Sequence, residues 1–404
     1  MFSGVAALEL ERRGVDKTEI GADGRLHTTP GTIAIMAVRS HEGETLHLVV
    51  PVMAGGDVPA TAWVNNLDTG VSASMRDQTR SCLRGVASRP GHDWIVGGPL
   101  QAVCLVDAIV WTDAVHGALH NTSRGKADAL RTLQQAAAQR LQALAAPAAR
   151  ATAEDMACRR TYAALVTASV YHRDVAARLI RAEATSPESF EWQRQLRHQW
   201  EEGGDETGRA RCLLRCGPTA LTYGFEYLGD RGVGAAFAAT SKPSSPSTSA
   251  VVGALAATGL AAIDSVVGGS GTGSDLAHNL AVAAGRANVR LCCAVSPDAR
   301  RLAAIMSGCA QIGAWVTLEG AAALAPAALS RLAQDLATVC AFASGRSETL
   351  SVGGRTLHPP ANSSGSGAGG FSVLLVGVCD DRTGGGDVGA AAPAPLKAAC
   401  TWLT

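Results

Sequence analysis

One stretch constrains this chain more than any other: Val266-Val267-Gly268-Gly269-Ser270-Gly271-Thr272-Gly273-Ser274-Asp275, followed by Leu276-Ala277-His278-Asn279-Leu280-Ala281-Val282-Ala283. It reads as a glycine-rich loop running into an amphipathic helix. Loops of this shape wrap phosphates, because glycines let successive backbone N–H groups face inward and the helix N-terminus adds positive partial charge. Gly268 and Gly273 occupy the two glycine positions of the pattern G-x-x-x-x-G-K-[ST]. Ser274 then stands where the lysine belongs, and Asp275 where the magnesium-holding hydroxyl belongs. The candidate nucleotide loop is therefore Gly268, Gly271, Thr272, Gly273, Ser274 and Asp275, with its two working side chains replaced. A dinucleotide fingerprint fails here, since Ser274 takes the place of the third glycine after Gly269 and Gly271. A serine-nucleophile elbow fails too, because Thr272 breaks G-x-S-x-G around Ser270.

A phosphate loop belongs at the end of the first strand of a parallel sheet. Downstream of it the pattern alternates: strand over 289–295, helix over 298–309, strand over 314–318, helix over 326–342 and a last buried strand over 371–378. This alternation predicts a parallel sheet with helices on both faces. Upstream, 32–38 and 45–50 read as a β-hairpin around the polar turn 40–44. Beyond Pro59 the period becomes helical, with Trp63, Leu67, Val71 and Met75 on one face, and a second helix is predicted over 101–119. Leu130, Leu133, Ala137, Leu141 and Leu144 mark a third, with a break expected near Pro147, and Tyr162, Leu165, Val175 and Leu179 a fourth. Ser186-Pro187-Glu188-Ser189 reads as the start of a helix carrying Phe190, Trp192, Leu196 and Trp200. Cys212 and Cys216 are spaced as one helical turn, and His172 with Asp174 reads as a solvated polar face. The Ser/Pro-rich stretch within 231–250 reads as a low-complexity, flexible insertion.

The bulk properties narrow the function. Lys+Arg 35 balances Asp+Glu 35, so there is no electrostatic reason to expect nucleic acid or an anionic membrane as partner. The most apolar run, 250–263, is too short and glycine-broken to span a bilayer. Eleven cysteines are scattered without a CxxC pair, which reads as reduced, buried thiols rather than a metal site. With no basic-then-apolar leader pattern at Met1, the chain reads as soluble and cytoplasmic, or attached to a cytoplasmic structure.

Several segments carry a resemblance. Residues 189–197, Ser-Phe-Glu-Trp-Gln-Arg-Gln-Leu-Arg, look like an FxWxxQLR segment, and Tyr223-Gly224-Phe225-Glu226-Tyr227-Leu228-Gly229 is similar to a YxYEYLG segment. Val110-Trp111-Thr112-Asp113-Ala114-Val115, Tyr171-His172-Arg173-Asp174-Val175, Gly313-Ala314-Trp315 and Leu329-Ser330-Arg331-Leu332-Ala333-Gln334 fit in the same order. Together, over about 29–397, the chain resembles the dynein heavy chain, from the C-terminal part of its linker into its first AAA+ module. The resemblance implies an α/β fold: a mostly helical linker-like region with a short β-hairpin over 1–230, the insertion over 231–250, and a P-loop AAA+ type parallel-sheet α/β/α module, large subdomain only, over 251–404.

The departures from the family pattern shape the functional expectation. The family's GPAGTGKT aligns with 268–275, so the lysine is lost. In the second motif Glu319 falls at the magnesium-orienting Asp position and Gly320 at the position of the water-positioning Glu, which glycine cannot replace. No asparagine follows Asn362 to sense a γ-phosphate. The expectation is a degenerate site without catalytic residues or metal of its own, with Glu319 as its only other polar contributor. No cofactor is expected beyond weak ATP or ADP binding through backbone amides. The resemblance implies dynein subunits or axonemal proteins as partners, only indirect microtubule contact, and a place in the cytoplasm, cytoskeleton or ciliary axoneme. The chain would be a truncated, structural component of a dynein assembly without its own motor activity. The alternative is an ATP-binding AAA+ module that contributes to microtubule-based movement inside a dynein complex.

Overall fold

The computed structural model describes residues 4–376 except 14–16, 21–25, 30, 56–57, 89–92, 96–97, 151–155, 204–207, 231, 241–245, 264–271, 294–298, 322–323, 345 and 358–370. The chain opens with strands β1 (Ala7–Arg12), β2 (Lys17–Ile20), β3 (Leu26–Thr29), β4 (Ile33–Arg39) and β5 (Thr45–Ala54). β4 and β5 form the expected hairpin, paired from Arg39↔Thr45 to Ile33↔Ala54 with a bulge between Ile35 and Ala37. The Ser40 hydroxyl closes its turn by accepting the N–H groups of Glu42 and Glu44. β1 adds to β4, giving an antiparallel sheet β1-β4-β5, while β2 and β3 form a separate hairpin. The N-terminal region therefore holds more sheet than the single short hairpin expected of it.

Helix α1 (Ala60–Ser88) buries Leu67, Val71 and Met75, the stripe the spacing predicts. A short 3-10 turn, Asp93–Ile95, leads to α2 (Leu100–Ser123), α3 (Ala129–Arg150) and α4 (Met156–Arg181). α2 is apolar and long enough to cross a bilayer, and 61% of its most apolar window is packed inside the protein, where Val103, Leu105, Val106 and Ile109 join the main core. The break expected at Pro147 does not occur: α3 continues through it to Arg150. Proline there removes the N–H that would bond the Ala143 carbonyl, a loss of one bond, and α3 ends three residues beyond it.

Two further corrections follow. The helix expected after Ser186 is a single turn, α5 (Phe190–Gln193), and Trp200 lies on a strand, β6 (Arg197–Glu201). β6 pairs with β7 (Arg211–Cys216), which pairs with β8 (Thr219–Thr222). Cys212 and Cys216 accordingly sit four apart on one strand, both buried. Of the Ser/Pro-rich stretch 241–249 read as flexible, 241–245 lie outside the described residues; α6 (Val233–Thr240) precedes it, and α7 (Pro246–Thr258) begins inside it. Proline at a first helical position has its φ already set for the helix, and Val251, Val252 and Leu255 supply the buried face.

The rest of the described chain is β9 (Leu260–Ile263), α8 (Thr272–Ala283), β10 (Asn288–Cys292), α9 (Ala299–Ile312), β11 (Trp315–Glu319), α10 (Pro326–Ala343), the hairpin β12 (Leu350–Val352) and β13 (Arg355–Leu357), and β14 (Ser372–Val376). Four strands form a parallel sheet in the order β10-β11-β14-β9. Val316, Leu318, Val373 and Leu375 on one face pack with Leu302, Met306, Leu332 and Leu336 of α9 and α10. Trp315, Leu374 and Ala261 on the other pack with Ala277 and Leu280 of α8 and Leu255 of α7. Helices on both faces of a parallel sheet are the α/β/α arrangement expected of an AAA+ type module.

Candidate functional site

The carboxyl ends of the parallel strands come level: Ile263 pairs with Val376, Val376 with Glu319, and Glu319 with Cys292. In open α/β sheets this edge is where ligands bind. Gly268 and Gly271 lie outside the described residues, between the end of β9 and the start of α8. Thr272 is the first residue of α8, so the stretch links a core strand to a helix, as a phosphate loop requires. Gly273 explains how close that helix comes. A Cβ there would lie 2.9 Å from Val376 Cγ1 and 3.2 Å from Ile263 Cγ2, too near for any side chain without movement.

Ser274, at the lysine position, is buried at 3% exposure. Its hydroxyl donates a hydrogen bond to Glu319 Oε1 across the strand ends. The same oxygen accepts from Arg290 Nε at 3.1 Å and lies 3.0 Å from Arg290 Nη2. Register makes this pairing: Arg290 is opposite Thr317, so Glu319, two residues on, shares its face of the sheet. The Ser274 hydroxyl, more than the Arg290 guanidinium, holds the Glu319 carboxyl below the usual range against a smaller opposing effect of burial. Asp275 is exposed in the first turn of α8, where an acid suits the helix dipole. His278, one turn in, is half-buried, and burial followed by the Arg290 charge pushes its imidazole down. Gly320 adopts φ +63°, and its N–H donates to Val376 O at 2.9 Å. A side chain at Gly320 would therefore need left-handed backbone.

Of the sequence-derived site residues, the structure brings together Gly273, Ser274 and Glu319, and turns Asp275 to solvent. Sequence reasoning missed Arg290. Its signal was a lone cation in the otherwise apolar run 289–293, but only the sheet register turns it onto Glu319.

The far end of α8 is fixed by the buried segment 223–229. Gly224 N–H donates to Ala284 O at 2.8 Å, and Glu226 N–H to Gly285 O at 3.1 Å. The Glu226 carboxylate accepts the Ala287 N–H at 2.9 Å and lies 3.5 Å from Arg286 Nη1. Burial raises its pKa against the pull of Arg286 and that N–H. Gln101, fully buried at the start of α2, ties the same segment to the helical region. Its amide donates to Tyr223 Oη at 3.0 Å and to Glu226 O at 2.8 Å, and its carbonyl accepts Leu228 N–H at 3.0 Å. His198 on β6 adds a hydrogen bond to Ala283 O at 2.8 Å.

Residues 223–363 match the family described as the hydrolytic ATP binding site of dynein motor region. Over 312 residues the chain is 29% identical to dynein axonemal heavy chain 6 of Homo sapiens, covering 76% of this chain and 7% of that protein. Over 289 residues it is 28% identical to dynein axonemal heavy chain 5 of Rattus norvegicus, covering 70% and 8%. Over 339 residues it is 24% identical to the dynein-1-beta heavy chain of the flagellar inner arm I1 complex of Chlamydomonas reinhardtii, covering 84% and 7%. The chain thus spans less than a tenth of the length of these relatives.

Proposed function

We propose that the chain, similar to one short part of dynein heavy chains, is a dynein-type module whose nucleotide site has lost hydrolysis and whose role is structural. It would pack within a dynein assembly of the cytoskeleton or ciliary axoneme, with dynein subunits or axonemal proteins as partners and microtubule contact only through them. One observation carries the reading: the side chains at the strand ends satisfy each other. Ser274 and Arg290 converge on one oxygen of Glu319, the residue in line to orient a metal. Lysine at Ser274 would place an ammonium about 4 Å from a phosphate charge, worth about 4 kcal/mol at an effective dielectric of about 20. Without it, nucleotide affinity falls by about a thousandfold. Backbone amides at the start of α8 leave only weak ATP or ADP binding.

The test is calorimetric titration with Mg-ATP beside a phosphate-release assay. The wild-type chain is expected to bind ATP only in the millimolar range and to release no phosphate above background. The double variant Ser274→Lys, Asp275→Thr should bind at least a hundredfold tighter. Phosphate release by the wild type would overturn the inactive reading and favour a working ATPase module. No gain in the double variant would mean the loop is not a nucleotide cradle.

A further inference from the structure

The helical region contains a cleft separate from the strand-end site. It lies between α1, α2, α3 and α4, with a volume of about 310 Å³, within the span of small-molecule sites. Trp94, Trp111, Leu133 and Ala136 contribute to mainly apolar walls. Two polar groups from α4, Ser169 and His172, one turn apart, also line it. Ser169 is 1% exposed and its Oγ has no hydrogen-bond partner among the described residues. This is not the habit of the helix: Thr161 and Thr167 return their hydroxyls to the carbonyls of Ala157 and Ala163 at 3.0 and 2.8 Å. His172, expected on a solvated face, is instead buried and lies flat on Trp111, ring centroids 4.4 Å apart at 8°. Burial pushes its imidazole down to about 4, so the ring is neutral at physiological pH.

An unpartnered buried hydroxyl is costly unless something meets it. Among the described lining residues the one charged side chain, Arg140, is already matched by Asp107 with Nη1 to Oδ1 at 2.5 Å, so the cleft offers no net charge to an ion. We propose that this cleft is a binding site for a neutral, planar heteroaromatic small molecule, held between the tryptophan-lined walls with a ring acceptor on the Ser169 hydroxyl. Indole rings favour flat, polarisable partners, and a ring nitrogen is an acceptor that leaves the ligand uncharged. The assignment is independent of the nucleotide site.

The test is fluorine NMR of 6-fluoroquinoline titrated with the full chain at neutral pH. Saturable line broadening is expected with the wild type. Ser169→Ala should weaken binding about tenfold, and Ala136→Trp, which fills the cleft, should abolish it. Circular-dichroism melts establish that each variant folds. If Ala136→Trp does not fold, Ser169→Ala alone decides. Absence of saturable broadening with wild type overturns the site, as does unchanged affinity in Ser169→Ala or retained binding in a folded Ala136→Trp.

Discussion

Replacing Gln101 with leucine tests whether one buried amide joins the helical region to the phosphate-loop helix. Leucine is close to glutamine in volume and favours helix, so neither a large cavity nor a lost helical turn enters. Three partners lose their bond: the Tyr223 hydroxyl, the Glu226 carbonyl and the Leu228 N–H. Tyr223 is 2% exposed, with little access to water in exchange. Each buried group left without a partner costs about 1–3 kcal/mol, and the apolar leucine recovers part of this. The expected loss is about 3–5 kcal/mol, against a total stability on the order of 5–15 kcal/mol. Urea unfolding followed by tryptophan fluorescence should show a lower midpoint with an unchanged m-value. Amide hydrogen exchange should quicken at Gly224 and Leu228 before it does in β11 and β14. A loss below about 1 kcal/mol would refute the reasoning, since it would mean the segment 223–229 is held by apolar packing alone.

Gly273→Val should lower the melting temperature by several degrees, a cost of about 1–3 kcal/mol, because its side chain would collide with Val376 and Ile263; an unchanged melt would mean α8 does not sit against those strand ends. His172 and His198 are both buried, and burial pushes each down to about 4, the hydrogen bond to Ala283 opposing this at His198. Between about pH 4 and 6.5 the unfolded chain binds protons that the folded chain refuses, so stability is full above that window and lost as pH falls through it. Urea midpoints at the two ends of the window should converge in His172→Phe relative to wild type, and equal pH dependence would exclude a buried neutral His172. Arg290→Ala should leave the fold intact while raising the Glu319 pKa toward its free value, read by carboxyl-carbon NMR; no change would mean the ion pair is not made in solution.

The parallel module was legible because its local and global signals agree. β14 is buried at all five positions, and such continuous apolar runs, bounded by glycine and alternating with helical periods, mark strands covered on both faces. Where a spacing fits two periods the reading went astray. Trp192, Leu196 and Trp200 recur every four residues, which suits a helix face and, equally, one face of a strand. The choice was made by β7, whose pairing with β6 involves residues 10 to 18 positions away and leaves no mark inside the segment itself. The same limit hid the chemistry. Ser274 and Glu319 could each be placed from the glycine loop and the following strand. That they bond to each other, with Arg290 beside them, depends on α8 descending onto a sheet whose register puts Arg290 and Glu319 on one face. His172 was misread for a matching reason, since its neighbour Trp111 belongs to another helix. Without Arg290, the half-buried Glu319 carboxylate would stand at the strand ends without a counter-charge. The structure supplies a hydroxyl and a guanidinium to that carboxylate, so Ser274, Arg290 and Glu319 form a set whose parts account for one another.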